Sequence, residues 1–252
     1  MNVTREKFQI ASDLHIEYMN EIVDPLDFIV PCADHLILAG DIGSLYRYDQ
    51  LFNFLNNVSK YFTNVLYIPG NHEYYKPRDM KIKPLTFNKL NDILKIIEDK
   101  IPNLYVLNCK SVIIDNVCIF GCTLWSNITC DLPKFIVRIH QFDTQTYLDL
   151  HKSHVQYIEN MIGYCKSNGL TAYCVTHHPP TFDVINMANR KQKFVSLYAS
   201  ELDRLLTRDI HTWVFGHVHK NFDLNYNGCR LVSNQQGRAK DNVNDFSNCF
   251  TV

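Results

Sequence analysis

Aspartate, asparagine and histidine gather in five short groups along this chain: Asp13-Leu14-His15, Gly40-Asp41, Gly70-Asn71-His72-Glu73, His177-His178 and Gly216-His217-Val218-His219. Each group follows an apolar, strand-like run, at residues 8–12, 36–39, 65–69, 171–176 and 212–215. Carboxylate, carboxamide and imidazole donors at several strand tips are what a hydrolytic metal centre needs. None of these donors is a thiolate, so the set suits Mn²⁺, Fe, Zn²⁺ or Ni²⁺ and argues against a structural zinc knot. Singly, Asp-x-His and Gly-Asp are weak signals. Gly-Asn-His-Glu is more specific, and Gly-His-x-His would put both imidazoles on one side if it continued an extended strand. The joint occurrence carries the weight.

The elements that must position these groups can be read from pattern. Strands are expected at 8–12, 35–39 and 65–68. A helix is expected over 47–61, with Leu51, Phe54, Leu55 and Val58 on one face, and another over 86–99, ending before Pro102. Short β runs at 104–108, 111–114 and 117–123, the last two joined by Asp115-Asn116, predict a meander. A long amphipathic helix over 144–167 stops at Asn168-Gly169. Strands at 171–176 and 212–215 should flank a helix near 199–207, and a hairpin over 221–233 turns at Asn227-Gly228. This is α/β alternation. It predicts two mixed β-sheets packed face to face with helices outside, the motif-bearing strands at least partly parallel and their carboxyl ends sharing one edge. No repeat or flexible linker divides the chain, so residues 1–252 are expected to form one domain.

Composition narrows the class. With 46% hydrophobic residues over 252 positions the chain can bury a full core, and a net charge of −1 disfavours a nucleic-acid partner. A small phosphorylated substrate is not disfavoured, because metal ions supply positive charge locally. The first ten residues show no signal-peptide pattern and no apolar run spans a membrane. The nine cysteines include no Cys-x-x-Cys pair, and Cys118, Cys122 and Cys174 sit in apolar strands. Reduced, buried thiols in a cytoplasmic protein are the expectation.

The ordered series Asp-x-His, Gly-Asp, Gly-Asn-His-Glu, His, Gly-His-x-His resembles the calcineurin-like metallophosphoesterase superfamily, and its motifs span Asp13 to His219. Gly121-Cys122-Thr123-Leu124-Trp125, Tyr198-Ala199-Ser200 and Ser233-Asn234 are similar to its bacterial-type members. The resemblance implies a four-layer αββα sandwich and two metal ions, Mn²⁺ foremost. Asp13, His15 and His219 would hold one, and Asn71, His177 and His217 the other, with Asp41 bridging. His177 is preferred to its neighbour His178, which would line the substrate pocket with Asn71. A metal-bound hydroxide would attack the phosphoryl group, two cations roughly 3.5–4 Å apart making the bound water a stronger acid. His72 would act as general acid without binding metal, and Glu73 would fix the geometry by accepting a hydrogen bond.

Other residues are weighed against these. Arg190, Lys191 and Lys193 follow Pro179-Pro180 at the site edge, and Arg190 is the candidate phosphate contact. Tyr74 and Tyr75 could stack on a base or simply pack. His151 and His154 are expected on an exposed helix face, while His35 and His211 start strands, at the end away from the site. The protein serine/threonine phosphatase branch places arginines where this chain has Gly43-Ser44 and Pro69-Gly70, which disfavours that activity. Phosphomonoesters, phosphodiesters, cyclic nucleotides and diphosphate linkages stay open. A nuclease of the same superfamily would need a basic track, and a non-catalytic interaction module would not need His72. Oligomeric state is not legible.

Overall fold

The computed structural model describes residues 8–19, 22–185 and 193–252. Four strands, β1 (Phe8–Ala11), β2 (His35–Leu38), β3 (Asn64–Tyr67) and β4 (Leu104–Val106), form one sheet in the order β1-β2-β3-β4, parallel throughout. Between them run helices α1 (Tyr48–Val58), the single turn α2 (Asn71–Tyr74) and α3 (Phe87–Lys100). The second sheet has six strands: β5 (Lys110–Ile114), β6 (Val117–Cys122), β7 (Thr171–Thr176), β8 (Thr212–Val214), β9 (Phe222–Tyr226) and β10 (Cys229–Ser233). Its order is β5-β6-β7-β8-β10-β9, parallel from β6 through β10 with antiparallel edges. Helix α4 (Thr144–Asn168) covers it.

Strand alternation explains the layers. In β2, Leu36 and Leu38 point out to a core shared with Leu51, Phe54 and Leu55 of α1, while Ile37 faces the other sheet. In β7, Ala172 and Cys174 pack beneath Ile158 and Cys165 of α4, while Tyr173 and Val175 face the first sheet. Ile10, Ile37, Leu66, Ile119, Val175 and Val214 thus close a dry interface between sheets. A chain apolar on both faces of its central strands has to be covered on both. The result is a four-layer αββα sandwich.

Four expectations are corrected. The helix near 199–207 is only a short 3-10 turn, Asp203–Leu205. The Ser200 and Leu202 amides donate to the carbonyls of Pro179 and Pro180, so they are not free to bond within a helix. His151 and His154 are not on an exposed face. With Tyr147 and Ile158 they make the inward stripe of α4: His154 is buried and the His151 ring bonds the Trp125 carbonyl at 2.6 Å. The cysteines are not all free, since Cys32 and Cys249 are joined by a disulfide. The C-terminal segment returns beside β1, where the Ile10 amide meets Phe250 and the Val30 amide meets Asn248, and so brings Cys249 to Cys32. Seven others are free, with Cys118, Cys122 and Cys174 buried as expected. The fourth correction concerns Gly-His-x-His and belongs to the site.

Candidate metal centre

The five groups do meet at the carboxyl ends of the parallel strands. The chain beyond β1 crosses the chain beyond β2, the Asp13 amide donating to Gly40 and the His15 amide to Asp41. Within the second sheet the Gly216 amide donates to His177, and Ser12 beyond β1 bridges to Gln235 beyond β10, tying the two sheets together at this edge. Backbone at the site is bent hard. Asp13, His15, Asp41, His217 and His219 all have left-handed φ, between 50° and 75°. Such angles cost energy for non-glycine residues, are tolerated best by Asp, Asn and His, and gather where side chains must be re-aimed. His217 and His219 therefore do not share a side by strand alternation, because β8 has already ended at Val214. Each is turned individually, His217 toward His177 and His219 toward His15. Glycine is required where the loops touch: a Cβ on Gly40 (φ 89°) would lie 2.5 Å from His177 Nδ1, and one on Gly216 2.6 Å from Asp13 Oδ2.

Two donor clusters result. In the first, His15 Nε2 lies 3.0 Å from His219 Nε2, which lies 3.3 Å from Asp13 Oδ1. In the second, His177 Nε2 lies 3.0 Å from Asn71 Oδ1 and 3.2 Å from His217 Nδ1. Asp41 spans them, with Oδ1 3.3 Å from His177 Nε2 and Oδ2 3.8 Å from His15 Nε2. The ligand atoms of Asp13, His15 and His219 lie within 4.8 Å of one another, as do those of Asp41, His177 and His217. A third group of that compactness, His15, Asp41 and His72, overlaps both.

Tautomers decide what these contacts mean. His177 Nδ1 faces the Ala39 carbonyl at 3.0 Å, and a carbonyl only accepts, so Nδ1 carries the hydrogen. His219 Nδ1 likewise faces Asp241 at 2.6 Å and His15 Nδ1 faces Glu17 at 3.0 Å, both carboxylates. In the neutral rings the lone pairs then point inward at Nε2, toward one another and toward carboxylate oxygens. Converging acceptors with no donor between them repel, and a cation or a proton must lie among them. The donor set fits divalent metal ions.

Electrostatics agree. Burial alone would raise the Asp41 carboxyl, yet His177, His72 and His15 hold it well below the ordinary range. Asp13 is lowered in the same way, chiefly by His219 and His177 against its burial. For His177, burial works against the charged ring, but Asp41 and Asp13 outweigh it and lift it to about 9. Burial and the neighbouring His177 drop His178 to about 3, and burial with His178 and His177 holds His217 well below its usual value.

The supporting groups are only partly the expected ones. Glu73, fully buried, accepts from the amides of Asp41, Ile42 and Gly70 and from the Tyr67 hydroxyl, at 2.7 to 3.0 Å. It pins the Gly-Asp loop to the Gly-Asn-His turn, although burial and the nearby Asp41 raise its carboxyl to about 8. Sequence reasoning missed Glu17, whose Oε1 meets both His15 Nδ1 at 3.0 Å and His72 Nδ1 at 3.1 Å. Burial pushes Glu17 up, but those two imidazoles outweigh it and lower it. The signal was there: Asp13, His15 and Glu17 continue one spacing of two. Asp241, the His219 partner, had none, being 22 residues away in a segment without a motif.

The clusters floor a cleft of about 1630 Å³, lined by His72, His178, Asn71 and His217 and, farther out, by Tyr18, Tyr75 and Lys193. His178 is positioned by a 3.1 Å bond from its Nδ1 to the Thr123 carbonyl. Tyr74 packs in the core against Phe87 and Trp125, whereas Tyr75 borders the cleft beside His72. Arg190 and Lys191 lie outside the described residues.

A mimivirus protein, "Uncharacterized protein L509" of Acanthamoeba polyphaga mimivirus, is 27% identical over 272 residues, covering 93% of this chain and 92% of its own. The phosphopantetheinyl hydrolase of Mycobacterium tuberculosis superposes with a TM-score of 0.72 at 14% identity, over 99% of this chain and 97% of its own. A dimetal phosphatase from Danio rerio gives 0.53 at 10% identity, over 91% and 87%. At such identities the two structures speak for the fold alone. The calcineurin-like phosphoesterase family model matches residues 7–221, from β1 through the Gly-His-x-His loop, and this chain belongs to that family.

Proposed function

We propose that this protein is a dimetal phosphohydrolase acting on a small phosphomonoester or phosphodiester. One observation carries the reading: lone pairs of six imidazole, carboxylate and carboxamide groups converge across an Asp41 that reaches both sets. Asp13, His15 and His219 would hold one cation and Asn71, His177 and His217 the other, with Asp41 shared and Mn²⁺ the expected ion. When bound, the cations supply Lewis-acid polarisation of the phosphoryl oxygens and neutralise their charge.

The chain's own groups do the rest. Glu17 and Asp241 orient the His15 and His219 rings so that Nε2 faces inward. The His72 amide donates to Asp41 Oδ1 at 2.8 Å, which fixes the turn bearing the His72 ring. Glu17 engages His72 Nδ1, leaving Nε2 as the ring's remaining nitrogen. In hydrolysis, water oxygen bonds to phosphorus, the ester P–O bond breaks, the leaving oxygen takes its proton from His72, and the proton released by the water passes to solvent, from which His72 is reprotonated. His178, neutral because of its burial, lines the pocket as a polar wall. The same reading treats residues 1–252 as one domain, its C-terminal segment returning to β1.

A protein phosphatase is not favoured, since Gly43-Ser44 and Pro69-Gly70 stand where that branch has arginines. The complete donor set and His72 speak against a purely non-catalytic module. A cytoplasmic location is kept as a proposal: among the described residues no helix is long and apolar enough to cross a membrane, and seven cysteines are free. The Cys32–Cys249 bond points the other way. The test of function is hydrolysis of p-nitrophenyl phosphate and its bis-ester. Activity should disappear on chelation and return best with Mn²⁺; undiminished turnover by chelated, metal-free protein would refute the reading.

A further inference from the structure

Outside the donor clusters the cleft carries positive charge that the clusters do not use. Among the described residues six cationic side chains line it. Arg47 is paired with Asp79 at 2.5 Å and Arg238 with Asp241 at 2.9 Å. Arg78, Arg138, Lys193 and Lys240 have no carboxylate partner among the described residues. The contrast is informative, because an unneutralised cation on a cleft wall is a standing attraction for an anion.

Arg138 is the best placed of the four. Its Nε donates to the Lys76 carbonyl at 2.9 Å and Nη1 to the Ile136 carbonyl at 3.1 Å, so the guanidinium is held rigidly. It lies over the Tyr75 ring, 5.4 Å from the centroid, and that ring is 5.5 Å from the His72 imidazole. One aromatic ring therefore separates the guanidinium from the proposed acid. A guanidinium has five N–H donors, and two here are spent on backbone, leaving three for a ligand. Arg78 is close enough to add like-charge repulsion to partial burial, and both lower Arg138 from its ordinary value. Arg78 is exposed and donates at 3.3 Å to the Phe135 carbonyl. Two guanidiniums on the lining of one cleft, neither paired with a carboxylate among the described residues, form a receptor for one more anion, and bidentate donors match phosphate oxygens.

We propose that Arg138, with Arg78 beside it, docks a second phosphoryl group, so that the substrate is a small molecule carrying at least one phosphoryl group besides the scissile one. This rests on the phosphohydrolase reading above. A nucleoside diphosphate has the required chemistry. The exposed Tyr18 of the same cleft, its ring 6.2 Å from His72, offers a surface for a base. A polynucleotide would demand a broad basic excess, and the chain's charge of −1 provides none.

The test uses adenosine 5′-monophosphate and adenosine 5′-diphosphate, which differ by one phosphoryl group, with p-nitrophenyl phosphate as reference and free Mn²⁺ held constant. Binding is measured by calorimetry and turnover by phosphate release, for the wild type and for Arg138→Gln, Arg138→Lys and Arg78→Gln. The diphosphate should bind about tenfold or more tightly than the monophosphate. Arg138→Gln should remove that preference and raise KM for the diphosphate about tenfold more than KM for p-nitrophenyl phosphate. Arg138→Lys should recover it only in part, and exposed Arg78→Gln, which leaves the core intact, should lower it severalfold. Equal losses on all three ligands, no preference in the wild type, or better turnover of single-stranded DNA than of the diphosphate would overturn the inference. Arg138-dependent diphosphate preference without turnover of any ester would uphold the docking site and sink the phosphohydrolase reading instead.

Discussion

The two donor clusters are built from similar ligands but supported differently. In the Asp13, His15, His219 cluster each imidazole is backed by a carboxylate, Glu17 behind His15 and Asp241 behind His219. In the Asn71, His177, His217 cluster the His177 ring is backed by the neutral Ala39 carbonyl, and the carboxamide replaces a carboxylate. A carboxylate behind a ring strengthens it as a donor and fixes its tautomer. The first cluster is therefore the more basic cradle and the second the more weakly charged. On the two-cation reading, the two clusters would differ in how tightly they bind a cation.

Asp41→Asn acts on both clusters at once and should have the largest effect. Both ions should be lost by metal analysis, and turnover should drop on the order of a thousandfold or more. His72→Ala should leave both ions in place while cutting kcat by roughly 10²–10⁴, the usual worth of a positioned acid. Loss of metal together with activity would instead make His72 a ligand, as its proximity to His15 and Asp41 permits. Asp241→Asn should weaken one position by about 10–100-fold and spare the other, so that titration with Mn²⁺ splits into two phases. Identical weakening of both would show that the two clusters do not differ in their support.

The smallest effect is a pH dependence at the second cluster. His177, lifted to about 9 by Asp41 and Asp13 against its burial, keeps a proton at neutral pH in the metal-free protein. A cation entering there must expel it, so affinity should rise by about tenfold per pH unit toward pH 9 and level off above. The same sign governs stability of the metal-free protein. A folded-state value above the unfolded one stabilises fully below about 6.5 and is lost as pH rises toward 9. Calorimetric Mn²⁺ binding and urea midpoints across that range check both; pH-independent affinity would remove His177 from the ligand set.

Much of the site was legible because its residues follow strands directly. Asp13, Asp41, Asn71 and His177 lie within a few residues of a strand end, and parallel strands deliver their ends to one edge. His219 is just as legible as a residue, but its direction is not. The extended geometry expected of Gly-His-x-His gives way to left-handed turns at both histidines, set by contacts with Asp13 and Gln235. The inward burial of His154 and the loss of a helix at 199–207 have the same origin. In both, packing against the outer face of the second sheet overrode local pattern.

Residue type and period alone encode the layered α/β fold, through strands apolar on both faces, and the chemical identity of the donors. Closure of the two sheets set which carboxylates stand behind which rings, that Cys32 meets Cys249, and that Arg138 lies on the cleft wall over Tyr75. The physical reason is separation along the chain. Glu17 meets His72 across 55 positions and Asp241 meets His219 across 22, and no local pattern encodes a contact that exists only once the sheets have closed on each other.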